Sequence, residues 1–197
     1  MRRRKWFFST LLFLISVGFL IFSKAFFSRT VVSDSVVSLP ATPSNVILLA
    51  NNDYYPYLKT HFQQAHKKIL GTIYLFKAAS MRNNEPADLM RELIAARKRN
   101  VTVEVVIDLS SDDGESRAAN LNAGQLLGQS GVTVRFDRED VATHAKTFVI
   151  DDRYCFVGSH NFTHAGMARN EEVSVFIDSP DIARKLSDFI HQIPLSN

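Results

Sequence analysis

Cysteine is scarce in this sequence, because Cys155 is the only one among 197 residues. A single cysteine excludes an intramolecular disulfide, and it excludes redox motifs and metal sites built from paired cysteines. Since Cys155 lies in the apolar stretch 154–157, we expect it to pack as a small buried hydrophobic side chain. Hydrophobic residues make up 46% of the chain and charged residues 22%, which disfavours disorder, a collagen-like repeat and a disulfide scaffold. The composition therefore predicts a globular domain.

Acidic residues are missing from the first 29 positions, which hold six of the 23 lysines and arginines. The rest of the chain carries 17 basic and 20 acidic residues, a net charge of about −3. This balance does not give the broad basic surface of a protein that holds nucleic acid mainly through its phosphates. A local basic patch is still compatible with it.

Residues 6–22 carry no charge and are nearly all apolar, with four basic residues before them and Lys24 after them. Their length falls between a signal-peptide core of roughly 7 to 15 residues and a membrane span of roughly 20. We therefore expect residues 1–27 to be a signal anchor or a signal peptide. Small residues at 23 and 25 would permit cleavage, whereas the two phenylalanines that follow favour an anchor. The basic N-terminus predicts that the domain after this segment lies outside the cytoplasm, either anchored or exported.

Residues 28–45 are rich in serine and contain two prolines, which predicts a linker, and residues 46–197 form the predicted domain. Apolar periodicity predicts strands at 46–50, 69–76, 101–109, 132–136, 146–150, 154–157 and 173–177, and helices at 55–65, 84–99, 116–130 and from 180 onward. Strands and helices alternate early and strands cluster late. The predicted fold is α/β, with a mixed, mostly parallel sheet flanked by helices on both faces, preceded by the membrane segment.

Two basic side chains stand at the start of a predicted strand. His144 and Lys146 are two residues apart, so both side chains leave the same face of the sheet. After the next strand comes the sequence Gly158-Ser159-His160-Asn161. Glycine permits close approach of backbone to a ligand, and Ser159 and Asn161 add neutral hydrogen-bond donors. These groups together suit the binding of a phosphate.

The pattern His-x-Lys-x4-Asp-x6-Gly-Ser-x-Asn over residues 144–161 fixes six residue types, which chance would give in on the order of one chain in 10^5 to 10^6. It resembles the signature of the phospholipase D superfamily. The chain is most similar to the single-motif branch that includes bacterial endonucleases and mitochondrial phospholipase D-like proteins. The resemblance covers residues 46–193 in element order. Its specific part is 144–172, where Asn-Phe-Thr at 161–163 and Asn-Glu-Glu at 170–172 also match.

The resemblance implies a covalent mechanism in which His144 attacks phosphorus and water then hydrolyses the phosphohistidine. It also implies a second histidine that protonates the leaving group. Because the chain has one motif, we expect that histidine to come from a second copy, which makes a homodimer part of the predicted mechanism. No metal or other cofactor is required.

The resemblance also assigns roles to other motif residues. Lys146 and Asn161 would hold the non-bridging phosphate oxygens, with Ser159 assisting. Glu172 would orient the imidazole of His144, with Glu171 as the second choice.

Two motif positions have a structural interpretation. Asp151, at the hairpin turn, is expected to hold the loop rather than to touch substrate, and Gly158 is expected to support the site. His160 and His164 stand four residues apart, which could suggest zinc on a helix. No HExxH pattern or cysteine ligand accompanies them, so we do not predict a metal site.

The motif leaves three functions open. The first is hydrolysis of a phospholipid head-group ester, which the predicted anchor and an acidic rim would favour. The expected rim residues are Asp108, Asp112, Asp113, Glu115, Asp137, Glu139 and Asp140. The second is cleavage of DNA or RNA, for which a local basic track would consist of Lys77, Arg82, Arg135, Arg138, Arg153 and Arg169. The third is a non-catalytic module that binds membrane or phosphate. We favour the lipid substrate.

Overall fold

The computed structural model describes residues 45–78, 84–110 and 113–196. The predicted membrane segment at 1–27 and the predicted linker, except its last residue, lie outside these ranges. That last residue, Asn45, already belongs to the first strand. Among the helices in the described ranges, none combines the length and the apolar character that crossing a bilayer requires.

The described residues form seven strands, five α-helices and a short 3-10 helix. The strands are β1 (Asn45–Ala50), β2 (Lys68–Ile73), β3 (Thr102–Ile107), β4 (Thr133–Phe136), β5 (Lys146–Ile150), β6 (Tyr154–Gly158) and β7 (Val173–Asp178). The helices are α1 (Tyr54–Gln64), α2 (Glu85–Lys98), α3 (Gly114–Gln129), α4 (His164–Ala168) and α5 (Pro180–His191), and the 3-10 helix covers Asn51–Asp53. The predicted elements are present in the predicted order. The 3-10 helix and α4 are additions that periodicity did not indicate, because each is too short to repeat a pattern.

The strands form one sheet in the order β1-β7-β6-β5-β2-β3-β4. Only β2–β3 and β3–β4 are parallel, and the other four neighbouring pairs are antiparallel. The prediction of a mixed sheet is confirmed, but the expectation that it is mostly parallel is wrong. A parallel pair needs a long crossover, which α2 and α3 supply early in the chain. The late strands are joined by a tight turn and by a segment whose only helix is α4, so they run antiparallel.

Hydrophobic side chains are buried on both faces of the sheet, as predicted. On β2, for example, Ile69 contributes to the larger core under α1, α2 and α3, whereas Leu70 contributes to the smaller core under α5. Cys155 is fully buried in the smaller core. On α5, Ile190 is buried, but Phe189 is 48% exposed. The predicted apolar face of α5 is therefore wider than the face that the sheet covers.

One end of the sheet collects several segments of the chain. The parallel strands β2, β3 and β4 end there, and β5, which is antiparallel to β2, begins there. The register places Lys146 opposite Gly158, and Gly158 opposite Ser174, so β6 ends and β7 begins at the same edge. This edge therefore brings together the residues that follow β1, β2, β3 and β6 and those that precede β5 and β7. Ligand sites of α/β proteins commonly form at such an edge.

Candidate active site

His144 and Lys146 lie side by side at this end of the sheet. The Nζ atom of Lys146 is 3.1 Å from Nδ1 of His144 and donates a hydrogen bond of 2.6 Å to the His144 carbonyl oxygen. Lys146 is only 4% exposed, whereas His144 is exposed. A buried cation therefore stands directly behind an accessible imidazole.

The surroundings change the acidity of both groups. Burial lowers the pKa of Lys146 from 10.5 to about 8, although the negative charges of Glu172 and Asp108 act in the opposite direction. Partial desolvation, and then the charge of Lys146, lower the pKa of His144 below its usual value of 6.5. At neutral pH the lysine is thus charged and the imidazole is neutral, which leaves a nitrogen lone pair available for attack.

Tyr74, which sequence reasoning missed, completes this pair. It directly follows β2, and its ring centroid is 4.4 Å from that of His144. The Nζ atom of Lys146 lies 4.7 Å from the same ring, within the range of a cation–π contact. The prediction had placed Tyr74 inside a strand that extends to residue 76. Nothing in its local pattern indicated that the strand ends at Ile73 and presents the ring to the site.

Ser159 and Glu172 form a second group beside Lys146. The Ser159 hydroxyl donates to Oε2 of Glu172, and it accepts a hydrogen bond of 3.1 Å from the backbone nitrogen of Val173. Asn170 donates to the other Glu172 oxygen at 3.0 Å. Among the hydrogen bonds of the described residues, none joins Glu172 to His144. The structure thus places the Glu172 carboxylate on Ser159 and within electrostatic reach of Lys146.

Asn51, which sequence reasoning also missed, holds the segment that carries the two glutamates. Its side-chain oxygen accepts from the Glu172 backbone nitrogen at 2.8 Å, and its side-chain nitrogen donates to Glu171 at 2.8 Å. The backbone of Asn51 has a positive φ of 50° and donates to the Glu172 carbonyl oxygen at 2.9 Å. Asparagine tolerates this left-handed conformation better than most residues. Glu171 therefore contacts Asn51.

Asn161 lies next to the segment that carries Tyr74. The backbone nitrogen of the following residue, Phe162, donates to the Leu75 carbonyl oxygen at 2.9 Å. The Asn161 side-chain oxygen is buried and has no hydrogen-bond partner among the described residues. This orphan oxygen is an acceptor, so it cannot itself bind a phosphate oxygen; the donor that Asn161 can offer to an anion is its side-chain nitrogen.

Gly158 has a different role from close approach to a ligand. A Cβ atom at this position would lie 1.9 Å from Ser174 Oγ and 2.5 Å from the Ser174 Cα atom. The space above Gly158 is therefore occupied by the neighbouring strand β7. The packing of β6 against β7 thus explains a glycine here without a ligand.

His160 and His164 have separate partners. His160 is fully buried, hydrogen-bonds Ser174 Oγ at 2.7 Å and the Asn51 carbonyl oxygen at 3.0 Å, and stacks on Tyr54. His164 is exposed and pairs with Glu85 at 2.7 Å. In the described part of the chain, no group of three or more His, Cys, Asp or Glu side chains is arranged to hold a metal ion.

Asp151 anchors the β5–β6 turn to the start of β2. Its carboxylate accepts hydrogen bonds from the backbone nitrogens of His66, Lys67 and Lys68 at 2.7 to 3.2 Å. Burial by itself would raise the pKa of Asp151, but these three donors lower it below its usual value. The turn lies at the opposite end of β5 from Lys146, far along the strand from the proposed chemistry.

Burial and ion pairing change both of the predicted charged surfaces, the acidic rim and the basic track. Asp108 and Asp137 are fully buried rather than on a rim, and Asp112 lies outside the described residues. Surface ion pairs join Lys77 to Glu115, Arg117 to Glu139, Arg138 to Asp140 and Arg153 to Asp178, and a half-buried ion pair joins Arg135 to Glu104. Arg82 lies outside the described residues. Because most of these charges cancel locally, the described part of the chain supports neither a strongly acidic rim nor a continuous basic track.

A charged ammonium, a neutral imidazole, a hydroxyl and a buried amide at the open end of a sheet can bind an anion and attack an electrophilic centre within it. Together with the seven-stranded sheet and the His-x-Lys motif, they define a phospholipase D-like domain. Comparison with known families agrees: the chain belongs to the family described as "Cardiolipin synthase, PLD-like domain", whose model matches residues 58–193. The wider superfamily consists of enzymes that act on phosphodiester bonds.

Individual relatives include two cardiolipin synthases and a phospholipase D family member of known structure. The chain is 34% identical over 91 residues to the minor cardiolipin synthase ClsB of Bacillus subtilis, covering 46% of this chain and 22% of that protein. It is 40% identical over 77 residues to a cardiolipin synthase of Staphylococcus aureus, covering 39% and 15%. The chain thus spans less than a quarter of the length of these relatives. The solved structure of Nuc, a phospholipase D family member from Salmonella typhimurium, is 25% identical with a TM-score of 0.65, covering 79% of this chain and 99% of that one.

Proposed function

We propose that this protein is a phosphodiesterase of the phospholipase D type, which hydrolyses a phospholipid head-group ester through a phosphohistidine on His144. The observation that carries the proposal is the 3.1 Å pairing of Lys146 Nζ with His144 Nδ1 at the open end of the sheet. A phosphate that enters here would meet a cation and a nucleophile within one hydrogen-bond length of each other. The proposed reaction uses no metal or other cofactor.

In the first step, a nitrogen lone pair of His144 attacks phosphorus, an N–P bond forms, and the P–O bond to the leaving alcohol breaks. The alcohol oxygen takes its proton from a second imidazole, which must enter this step as the imidazolium; the negative charge of the bound phosphate favours that form. Because the chain carries one motif, we assign that imidazole to His144 of the partner subunit in a homodimer. In the second step, the same imidazole removes a proton from water, which attacks phosphorus, releases His144 and leaves a phosphate monoester.

Three polar side chains would stabilise the charge that develops on the non-bridging oxygens. Lys146 supplies a full positive charge, and Asn161 and Ser159 supply neutral donors. Loss of one such donor costs roughly 10² to 10³ in turnover in enzymes that rely on this effect. We retain Glu172 as the residue that orients His144. Since its carboxylate accepts from Ser159 in the free protein, this role requires that Glu172 changes partner when substrate binds.

A phospholipid is the substrate that the observations favour. The family description and the two cardiolipin synthases named above are lipid enzymes by name. Two exposed apolar side chains lie near the motif, where an acyl chain or bilayer surface could cover them. Val141 (56% exposed) is three residues before His144, and Val173 (52% exposed) is joined to Ser159 through its backbone nitrogen. The predicted anchor at residues 1–27, with the domain outside the cytoplasm, would hold the site near lipid. The predicted acidic rim gives no support to a lipid substrate over a nucleic acid, because Asp108 and Asp137 are buried.

An endonuclease is the second candidate, and one observation favours it. Nuc is matched over 99% of its length, and the relative named NucT, from Helicobacter pylori, over 96% at 16% identity with a TM-score of 0.61. Both are short chains of the same extent as the domain described here. The same His144 chemistry would serve a DNA or RNA backbone, so only a substrate comparison separates the two candidates.

The test uses the full-length protein reconstituted in phospholipid vesicles with EDTA present. Release of head group is compared with nicking of supercoiled plasmid DNA, for the wild type, His144→Ala and His164→Ala. The last variant is a matched control, because His164 is exposed and pairs with Glu85 at a distance from the motif pair. Quenched turnover should also yield a protein phosphoryl group that is labile in acid and stable in base, as a phosphoramidate is.

Head-group release that is abolished by His144→Ala and kept by His164→Ala would support the lipid phosphodiesterase. DNA nicking with the same pattern, without head-group release, would establish the nuclease instead. Vesicle or phosphate binding without any cleavage would overturn both enzyme proposals in favour of a non-catalytic binding module.

A further inference from the structure

Two aspartates that the proposed reaction does not use lie buried directly behind the motif. Asp108 follows β3 and Asp137 follows β4, and both are at most 1% exposed. Both accept the backbone N–H of Thr143, at 2.8 Å from Asp108 Oδ2 and 3.1 Å from Asp137 Oδ2. Thr143 immediately precedes His144. The two carboxyl groups thus fix the backbone from which the proposed nucleophile extends.

The geometry of the two carboxyl groups favours one shared proton. Their Oδ2 atoms accept the same N–H, so two buried carboxyl groups lie close together, where two negative charges would repel each other. Asp108 also accepts from the Ser110 backbone nitrogen at 3.1 Å and from its hydroxyl at 3.0 Å, so all the neighbours of Asp108 act as donors. Burial, and in addition the charge of Asp108, raise the pKa of Asp137. The raised pKa of Asp137 favours the proton on that carboxyl group.

The charge of this pair reaches the proposed phosphate clamp. Asp108 attracts the ammonium of Lys146, as Glu172 does from the other side, and Tyr74 faces the same ammonium. His144 is the remaining titratable group in contact with it. On the far side of the aspartates, Arg117 of α3 donates to the Leu109 carbonyl oxygen and pairs with Glu139, so its charge is compensated there.

We propose that Asp108 and Asp137 act as a one-proton pair that positions His144 through the Thr143 backbone and places a single negative charge beside Lys146. Asp137 is a positioning residue that acts as a neutral donor. Asp108 is a positioning residue that also sets the charge state of the clamp. This inference rests on the proposed function for its kinetic consequences only.

The experiment compares Asp108→Asn with Asp137→Asn, two isosteric changes of adjacent carboxyl groups. An amide at 137 replaces a neutral acid and can still accept from the Leu109 backbone nitrogen, which is 2.7 Å from Asp137 Oδ1, while donating to Asp108. Its nitrogen cannot accept the Thr143 N–H, which Asp108 alone then holds at 2.8 Å. An amide at 108 removes the only charge of the pair. The Lys146 ammonium is followed by NMR titration of full-length protein labelled at the lysine Cε carbon, with the resonance assigned by Lys146→Arg.

The expected result is asymmetric. Asp108→Asn should shift the Lys146 titration to lower pH and reduce kcat about 10- to 100-fold, which corresponds to loss of a charged hydrogen-bond acceptor. Asp137→Asn should leave the Lys146 titration in place and kcat within a few-fold of wild type, whereas Asp137→Ala should lower kcat with little change in KM. Equal Lys146 shifts in both Asn variants, or a shift in neither, would overturn the inference.

A second measurement covers the case in which Asp108→Asn does not fold. Because the pKa of Asp137 is raised in the folded state, its stabilising contribution is present at low pH and is lost as pH rises through that value. Thermal unfolding of the wild type should show this loss, and Asp137→Asn should not. Identical pH dependence in both proteins would refute the shared proton. These titrations need no substrate, so an inactive wild type would refute the proposed function without deciding this inference.

Discussion

The depressed pKa of Lys146 predicts a pH dependence of anion binding that can be calculated from the structure. With a pKa of about 8, the ammonium is about nine-tenths protonated at pH 7 and about one-tenth protonated at pH 9. If this charge holds the phosphate, affinity for sulfate should fall about tenfold over that interval, or about 1.4 kcal/mol. Sulfate is a suitable probe because it does not titrate in this range. His144, whose pKa is lowered below 6.5, stays neutral throughout and does not contribute to the change.

The assay is isothermal titration calorimetry of full-length protein with sulfate from pH 6.8 to 9.5, at an ionic strength held constant with sodium chloride. Lys146→Arg is the matched control, because a guanidinium keeps its charge over this range and the fall should disappear. Lys146→Met should bind sulfate weakly at every pH. An affinity of the wild type that stays constant up to pH 9.5 would refute the assignment of Lys146 as a clamp with a lowered pKa.

Three further predictions concern the dimer and the supporting residues. If each active site needs His144 from two subunits, activity of mixtures of wild type with His144→Ala should fall as the square of the wild-type fraction, and a linear fall would refute the shared site. Asp151→Ala should destabilise the fold by about 2 to 3 kcal/mol, because three backbone donors lose a charged acceptor. The pKa of Asp151 is lowered on folding, so its contribution is present above the unfolded pKa of about 4 and is lost as pH falls below it. Denaturation by urea at pH 7 and pH 3 checks both statements. Gly158→Ala should cost about 1 to 3 kcal/mol through its clash with Ser174, and Ser174→Gly should recover part of this loss in the double variant.

These variants carry internal controls. Asp151→Ala should retain kcat at a temperature where it is folded, because the turn lies at the opposite end of β5 from Lys146. A variant that is stable but inactive would show that Asp151 takes part in the chemistry. If Gly158→Ala is as stable as the wild type, β7 can move away from β6 easily. That result would contradict the close packing expected between position 158 and Ser174, which lie opposite each other in the two strands.

Local sequence was sufficient for the elements and for the motif pair. The two-residue spacing of His144 and Lys146 predicts a shared face, and the structure places them in contact. The apolar runs predicted every strand because side-chain alternation and burial are properties of neighbouring residues. The membrane segment and the dimer stay predictions, since residues 1–44 lie outside the described ranges and the structure is that of one chain.

Tertiary structure alone decided which distant residues surround the motif. Tyr74, Asn51, Asp108 and Asp137 come from four different segments, and none has a local pattern that distinguishes it from a surface polar or core aromatic residue. Asp108 and Asp137 were interpreted as parts of a solvent-exposed rim, yet they are buried and share the Thr143 N–H. The prediction of a mostly parallel sheet is wrong for a similar reason, because periodicity does not depend on which way a neighbouring strand runs. Contacts between residues far apart in the chain depend on strand order and register, and these are set by how the whole core packs.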